Sequence, residues 1–305
     1  MACDGGVAKG DHVVKLNSHF EHAGPKGSQV CMDVEMLGPS LLDFIKDYSY
    51  KGCPVHLVKA ISRHVLTGLD FLHTDCNIIH TDVKPENVLL SIPGESGTPS
   101  AQTDPEWWRN HADRANGGWS LKKGWSDKLF AQGARFESIA KLVDLGNACV
   151  VDKPFTQDIQ TIEYRSPEAI LGSGYGTAAD IWSVGCLVFE LLTGEYLFDP
   201  KEGKGRVKYE REEDLLALQQ ELLGDMPLRL ATGGKHSGKF FTPQGNLKHI
   251  TSLTYWGISD VLVDKYGFPR EEADECANFI LPMLRFDPSE RATAADMLKH
   301  EWLSS

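Results

Sequence analysis

Three things are scarce in this sequence: paired cysteines, long apolar runs and positive charge. Each scarcity excludes a class of protein. The 7 cysteines (Cys3, Cys31, Cys53, Cys76, Cys149, Cys186 and Cys276) are scattered, odd in number and never spaced as C-x-x-C. That excludes a disulfide framework or a zinc ribbon and predicts a reduced, intracellular chain. No apolar run reaches the roughly 20 residues of a spanning helix. The opening MACDGGVAKGDHVV has no apolar core of a secretory leader, so neither membrane insertion nor secretion is expected. Lys and Arg number 31 against 43 Asp and Glu, a formal charge of −12. Such a balance argues against a direct nucleic-acid partner and favours a basic protein partner. No internal repeat is visible.

What is present reads as a soluble globular chain. Hydrophobic residues make up 41% and charged residues 24% of 305 residues, a length natural for two packed lobes or one domain with insertions. HVVKLNSHF and QVCMDVEML predict two strands flanking the turn Gly24 to Gly27. Leu57, Ile61, Val65, Leu69 and Leu72 recur every three or four residues and predict an amphipathic helix. DIWSVGCLVFELL, from Asp180, is apolar nearly all round and predicts a helix buried in the core. ANFILPMLRFDP and ATAADMLKHEWL predict a closing helical pair. Residues 91–136 lack a period and are rich in Gly, Ser, Pro, Asn and Trp. They read as an insertion, mobile at its start. Residues 201–255 begin charged and then mix helix and loop.

One stretch carries chemistry: IIHTDVKPENVLL, residues 78–90. Phosphoryl transfer from ATP needs an acceptor for the substrate hydroxyl proton, a cation near the moving phosphate and oxygen ligands for Mg²⁺. Asp82, Lys84 and Asn87 offer these three in one loop. Magnesium takes one or two carboxylates, so a second should follow a later strand. KLVDLGNAC provides it at Asp144. A lone Asp is more often a turn or strand cap. The ordered set of four is what lifts this one above coincidence.

These motifs resemble those of the eukaryotic protein kinases, whose catalytic loop reads HRDxxxxN and whose metal loop reads DFG. SPE at 166–168 resembles the APE motif. The resemblance implies that Arg291 pairs with Glu168, and that Asp180 and His80 brace the catalytic loop. These four are structural roles. HTDxKPEN, DLGNAC, DIQTxxYRS, GSGYGTAADIWS and GEYLFDP, with the later runs EEDLLALQQELLGDMP, KHSGKFFTPQGNLKHI and FILPMLRFDPSERATA, are similar to the SR-protein kinase family. The match covers about residues 12–304 apart from 91–136. It implies an α+β, two-lobe fold with a truncated β-rich small lobe (residues 1–38, the last strands and hinge). A mainly helical large lobe (39–305) would carry the insertion 91–136 and a docking insert at about 201–255.

The implied activity is transfer of the ATP γ-phosphate to serines of Arg/Ser-rich splicing factors, with Mg²⁺. The implied partners are those basic proteins, with no nucleic acid or membrane, and the chain is expected to be monomeric, cytoplasmic and nuclear. Hinge residues Glu35 and Leu37 would meet adenine. Glu210, Glu212, Glu213 and Asp214 would dock the basic substrate. The bland reading of that charge run is a solvated helix face.

Three departures stand out. Thr81 replaces the Arg that usually pairs with an activation-loop phosphate. Ile162 replaces an Arg common in the family. No GxGxxG loop or strand Lys precedes the first predicted strand, and Lys9 and Lys15 do not fit that role. GGKHSGK, Gly233 to Lys239, has P-loop spacing but no preceding strand, and Phe240 stands where Ser or Thr would bind Mg²⁺. Positioning supplies most of the rate in this chemistry. Weak or absent transfer by this form is therefore expected. The alternative reading is a catalytically dead scaffold that holds Arg/Ser-rich proteins. Small-molecule phosphotransferases lack the SPE segment and the insert.

Overall fold

The structure is a computed structural model that describes residues 7–25, 27–91, 112–115, 118–121, 139–203 and 207–304. A β-rich start leads into a mainly helical remainder. Strands β1 (Leu16–Gly24) and β2 (Gly27–Val34) form an antiparallel hairpin with Phe20 opposite Cys31 and Leu16 opposite Val34. Strand β1 begins four residues later than the sequence suggests. His12 sits in a 3-10 turn, Lys9–His12, and its Nδ1 meets the Ala140 carbonyl at 3.2 Å. Val13 bridges in parallel to Leu142. The backbone there serves another strand, not the hairpin.

Helix α1 (Leu41–Asp47) starts at a capping box, in which Ser40 accepts from the Asp43 N–H while Asp43 accepts from the Ser40 N–H. Helix α2 (Val55–Asp70) carries the expected stripe. Leu57, Ile61, Val65 and Leu69 are all buried, and Leu72 follows in a π turn, Phe71–Asp75. Next come β3 (Ile78–Ile79) and β4 (Val88–Leu90), which flank the catalytic loop. The antiparallel pair β5 (Ala112–Ala115) and β6 (Gly118–Leu121) lies in the expected insertion. Most of that segment, and the mobility expected at its start, lie outside the described residues.

Strand β7 (Ala140–Leu142) pairs antiparallel with β4, Val88 opposite Leu142. Strand β8 (Cys149–Val150) pairs with β3, Ile79 opposite Cys149. These two small ladders hold the catalytic loop and the segment around Asp144 side by side. Helix α3 (Pro167–Leu171) follows residues 145–166, the stretch between the two motifs that the kinase resemblance marks as the activation segment. Helix α4 (Ala178–Thr193) runs through the core, with every residue from Ala179 to Thr193 buried. It ends at Gly194, φ 80°, where a Cβ would lie 2.3 Å from the Tyr50 backbone. Only glycine fits both the angle and the approach.

The rest mixes loop, over residues 241–257, with the helices α5 (Arg211–Leu223), α6 (Leu228–Gly233), α7 (Ser237–Phe240), α8 (Ile258–Asp264), α9 (Arg270–Ile280) and α10 (Ala294–Met297). The closing helical pair is shorter than its pattern suggests. After Ile280 the chain tightens to a 3-10 turn, Leu281–Leu284, because Pro282 has no N–H to continue an α-helix. GGKHSGK follows helix α6 and not a strand. A Cβ on Gly234 would lie 2.3 Å from the Leu171 carbonyl oxygen, so this glycine serves close packing against α3.

Candidate active site

The catalytic loop is built on helix α4. Asp180, fully buried, accepts three bonds: from the His80 N–H and His73 Nε2, each at 2.8 Å, and from the Thr81 N–H at 2.8 Å. These charge-assisted bonds fix Thr81 at φ 71°, a costly angle for a β-branched residue. His80 Nδ1 accepts from the Asp82 N–H at 3.3 Å, so its Nε2 carries the proton and donates to the Val143 carbonyl at 2.9 Å. Val143 N–H in turn donates to the Asn87 carbonyl at 3.0 Å. The residue before Asp144 is therefore clamped to the catalytic loop from both sides.

Asp82, Lys84 and Asn87 converge. The Asp82 Oδ2 meets Lys84 Nζ at 2.8 Å and accepts from Asn87 Nδ2 at 3.0 Å. Its Oδ1 accepts from the Thr161 hydroxyl at 2.8 Å, and Lys84 Nζ also donates to Thr161 Oγ1 at 2.9 Å. Burial would push the Asp82 carboxyl up. Hydrogen bonds from Lys84 and Thr161, with the Lys84 charge, outweigh that and hold it below the ordinary aspartate range. The carboxylate is thus ionised at neutral pH and oriented, as a proton acceptor must be.

The metal residues fit Mg²⁺. The Asn87 amide nitrogen is held by Asp82 Oδ2 and by the Asp82 carbonyl at 2.8 Å, which leaves the amide oxygen for a ligand. Asp144 is exposed, in left-handed backbone at φ 60° and ψ 61°, and no described residue donates to its carboxylate. One amide oxygen and one carboxylate are the sparse hard-oxygen set that magnesium shares with phosphate oxygens. Among the described residues, no group of three or more His, Cys, Asp or Glu could hold a metal by itself.

Glu35 and Leu37 lie where β2 gives way to helix α1. Glu35 N–H donates to the Lys15 carbonyl at 3.0 Å, and Gly38 N–H to the Leu90 carbonyl at 2.8 Å. The Glu35 carboxylate, however, turns inward to Lys141 Nζ, at 2.7 and 2.8 Å. Leu37 is half-buried.

The activation segment is tied down by hydrogen bonds from Thr81 and Gln160. Thr81 Oγ1 donates to the Asn147 carbonyl at 3.0 Å, and Gln160 N–H to the Thr81 carbonyl at 3.0 Å. Buried Gln160, φ 67°, donates through Nε2 to the Ala179 carbonyl and Ser183 Oγ, and accepts from the Ser166 N–H and hydroxyl. Sequence reasoning missed both Gln160 and Thr161. Their signal was present only as letters of the DIQTxxYRS string. Further out, Arg291 grips Glu168 in a buried bidentate pair at 2.7 and 2.9 Å.

The four acidic docking candidates do not act alike. Glu213 is 2% exposed and accepts from the His249 N–H and ring, both at 2.7 Å. Asp214 is half-buried and accepts from the Lys201 N–H at 2.7 Å. Burial pushes its carboxyl up. The Glu213 carboxylate is buried against His249 and braces the insert, which corrects the expectation that it meets a basic partner, while Asp214 keeps partial exposure. Glu210 is exposed and pairs with Lys239 at 2.5 Å, while Glu212 is partly exposed. Glu202, Lys208, Tyr209 and Glu210 line a cleft of about 600 Å³ beside them.

The comparisons with known proteins agree with this geometry. The protein kinase domain pattern matches residues 7–303. The chain is 45% identical over 310 residues to "Serine/threonine-protein kinase SRPK" of Physarum polycephalum, across 96% of this chain and 71% of that one. It is 35% identical to "Protein kinase dsk1" of Schizosaccharomyces pombe, across 96% of this chain and 69% of that one. It is 33% identical to "SRSF protein kinase 3" of Mus musculus, across 97% and 76%. With the loop, the metal segment and the Glu168–Arg291 pair in place, the chain belongs to the SR-protein kinases, a family of serine/threonine protein kinases.

Proposed function

We propose that this chain transfers the ATP γ-phosphate to serines of Arg/Ser-rich proteins, with Asp82 accepting the serine hydroxyl proton. The observation that carries this is the Asp82–Lys84–Thr161–Asn87 cluster, an ionised carboxylate oriented by four donors. Lys84, 2.8 Å away, is the cation for the moving phosphate. Asn87 and Asp144 would hold Mg²⁺, which screens phosphate charge when bound. The backbone of Glu35 and Leu37 would seat adenine.

The substrate class rests on the relatives' names and on the chain's formal charge of −12. Glu202, Glu210 and Glu212 would meet arginine. The chain acts as a monomer in cytoplasm and nucleus, on protein and not on nucleic acid.

The test is phosphate transfer from ATP to an Arg/Ser peptide by the purified 305-residue chain. Transfer that disappears in Asp82→Asn supports the reading. Peptide binding without transfer, unchanged in Asp82→Asn, leaves a docking scaffold instead. Glu210→Lys with Glu212→Lys should weaken peptide binding and flatten its salt dependence. Unmoved affinity would sink the docking assignment.

A further inference from the structure

Lys141 is a lysine with little business being buried. It lies on β7, is 5% exposed, and sits three residues before Asp144. Lysine is almost never this buried without a partner. Its partner is Glu35, 106 residues earlier, whose two carboxylate oxygens lie 2.7 and 2.8 Å from Nζ. Glu35 Oε1 also accepts from the Lys15 N–H at 2.9 Å. Lys15 Nζ pairs with Asp11 at 2.5 Å, so two cations and two carboxylates balance within one small cluster.

This cluster joins two parts of the nucleotide site that are also linked through β4 and through the Val14 N–H on the Leu142 carbonyl. One side is the hinge, where Gly38 N–H and the Pro39 carbonyl bond to Leu90. The other is β7, which leads directly into Val143 and Asp144. The pair is short, two-pronged and largely dry, the conditions under which an ion pair holds geometry.

We propose that Lys141 is a positioning residue for the nucleotide, acting through Glu35 to hold the adenine-facing hinge at a fixed distance from the Asp144 metal site. This rests on the reading of Glu35 and Leu37 as the hinge. Lys141 touches neither substrate nor reacting atoms. Its loss leaves the Glu35 carboxylate with the Lys15 N–H and without its cation, and the hinge backbone moves relative to β7. Adenine binding weakens, while phosphate binding at Asp144 and Asn87 does not.

The experiment is a binding titration of the purified chain with two separate probes, adenosine and magnesium tripolyphosphate. Circular dichroism verifies folding. In Lys141→Met, adenosine affinity is expected to fall about tenfold, about 1.4 kcal/mol of binding. Tripolyphosphate affinity stays unchanged. Glu35→Gln, which keeps the size and the acceptor for the Lys15 N–H, should lose adenosine affinity in the same direction. Lys141→Arg should restore most of it, and Lys141→Met combined with Glu35→Gln should be no worse than the worse single variant.

Adenosine affinity unmoved in folded Glu35→Gln and Lys141→Met overturns the proposal and leaves the nucleotide site standing. Equal losses for both probes also overturn it, since that marks general loosening. A wild-type chain that binds neither probe overturns the nucleotide reading and this proposal together.

Discussion

Glu190 shows how much one buried carboxyl can do. It lies on α4, 4% exposed, and accepts a hydrogen bond from the Tyr164 hydroxyl. Burial is the larger influence and raises its pKa to about 7, with Glu86 and Glu163 pushing the same way against the Tyr164 bond. In the unfolded chain the group titrates near 4.5. Between these values the folded chain holds the proton that the unfolded chain releases. Stability is therefore full below pH 4.5 and falls as pH rises through about 7, by on the order of 3 kcal/mol from this group. Glu190→Gln, neutral at every pH and still an acceptor for Tyr164, should be more stable above pH 7. Its denaturation midpoint should also lose that pH slope. Equal slopes in both chains, by urea denaturation from pH 5 to 8, would mean Glu190 is ionised throughout.

Arg291 makes the matching case for charge. It is held by Glu168, by the carbonyls of Ala178 and Arg285, and lies over the Trp182 ring at 5.1 Å. Arg291→Met leaves the Glu168 carboxylate buried and unpaired, at a cost of about 3–5 kcal/mol. Adding Glu168→Gln should recover part of it. A loss under about 1 kcal/mol in Arg291→Met would mean that water reaches Glu168.

At the scale of the element, the clearest signals were periodic or covalently local. Helix α2 was legible because Leu57, Ile61, Val65 and Leu69 fall on one face, and α4 because it is apolar all round. Asp82, Lys84 and Asn87 were legible because the loop holds them within six residues. Gln160 and Thr161 were not, because loop residues with polar side chains carry no period. Glu213 read as a docking carboxylate because nothing in the sequence says that His249 lies against it. The Lys141–Glu35 pair was hidden for the same reason, across 106 residues.

The β1–β2 hairpin is the element with least cover. Leu16, Val30, Met32 and Val34 share one face, and each is about half exposed or more, Met32 reaching 72%. Apolar strands with open edges favour association. Replacing Val30 and Met32 together with Thr should lower self-association at high protein concentration, read by analytical ultracentrifugation. No difference from wild type would show that this face does not drive it.

At the scale of the whole molecule, two short ladders decide the outcome. The β4–β7 and β3–β8 pairs bring a loop at residues 80–87 against a segment at 144–147. Helix α4 braces the first through Asp180, and Thr81 and Gln160 fasten the activation segment to it. No helix among the described residues is long and apolar enough to cross a membrane. The architecture thus holds an ionised Asp82 and an exposed Asp144 on adjoining segments, joined by the Val143 N–H on the Asn87 carbonyl.

The most direct test of that claim is ATP binding by calorimetry on the 305-residue chain, with and without Mg²⁺, beside Asp144→Ala. The account predicts binding that Mg²⁺ strengthens in the wild-type chain and leaves unchanged in Asp144→Ala. Folded wild-type protein whose ATP binding ignores Mg²⁺, or Asp144→Ala that responds to it as wild type does, would contradict the assignment of the metal site and the phosphoryl transfer built on it.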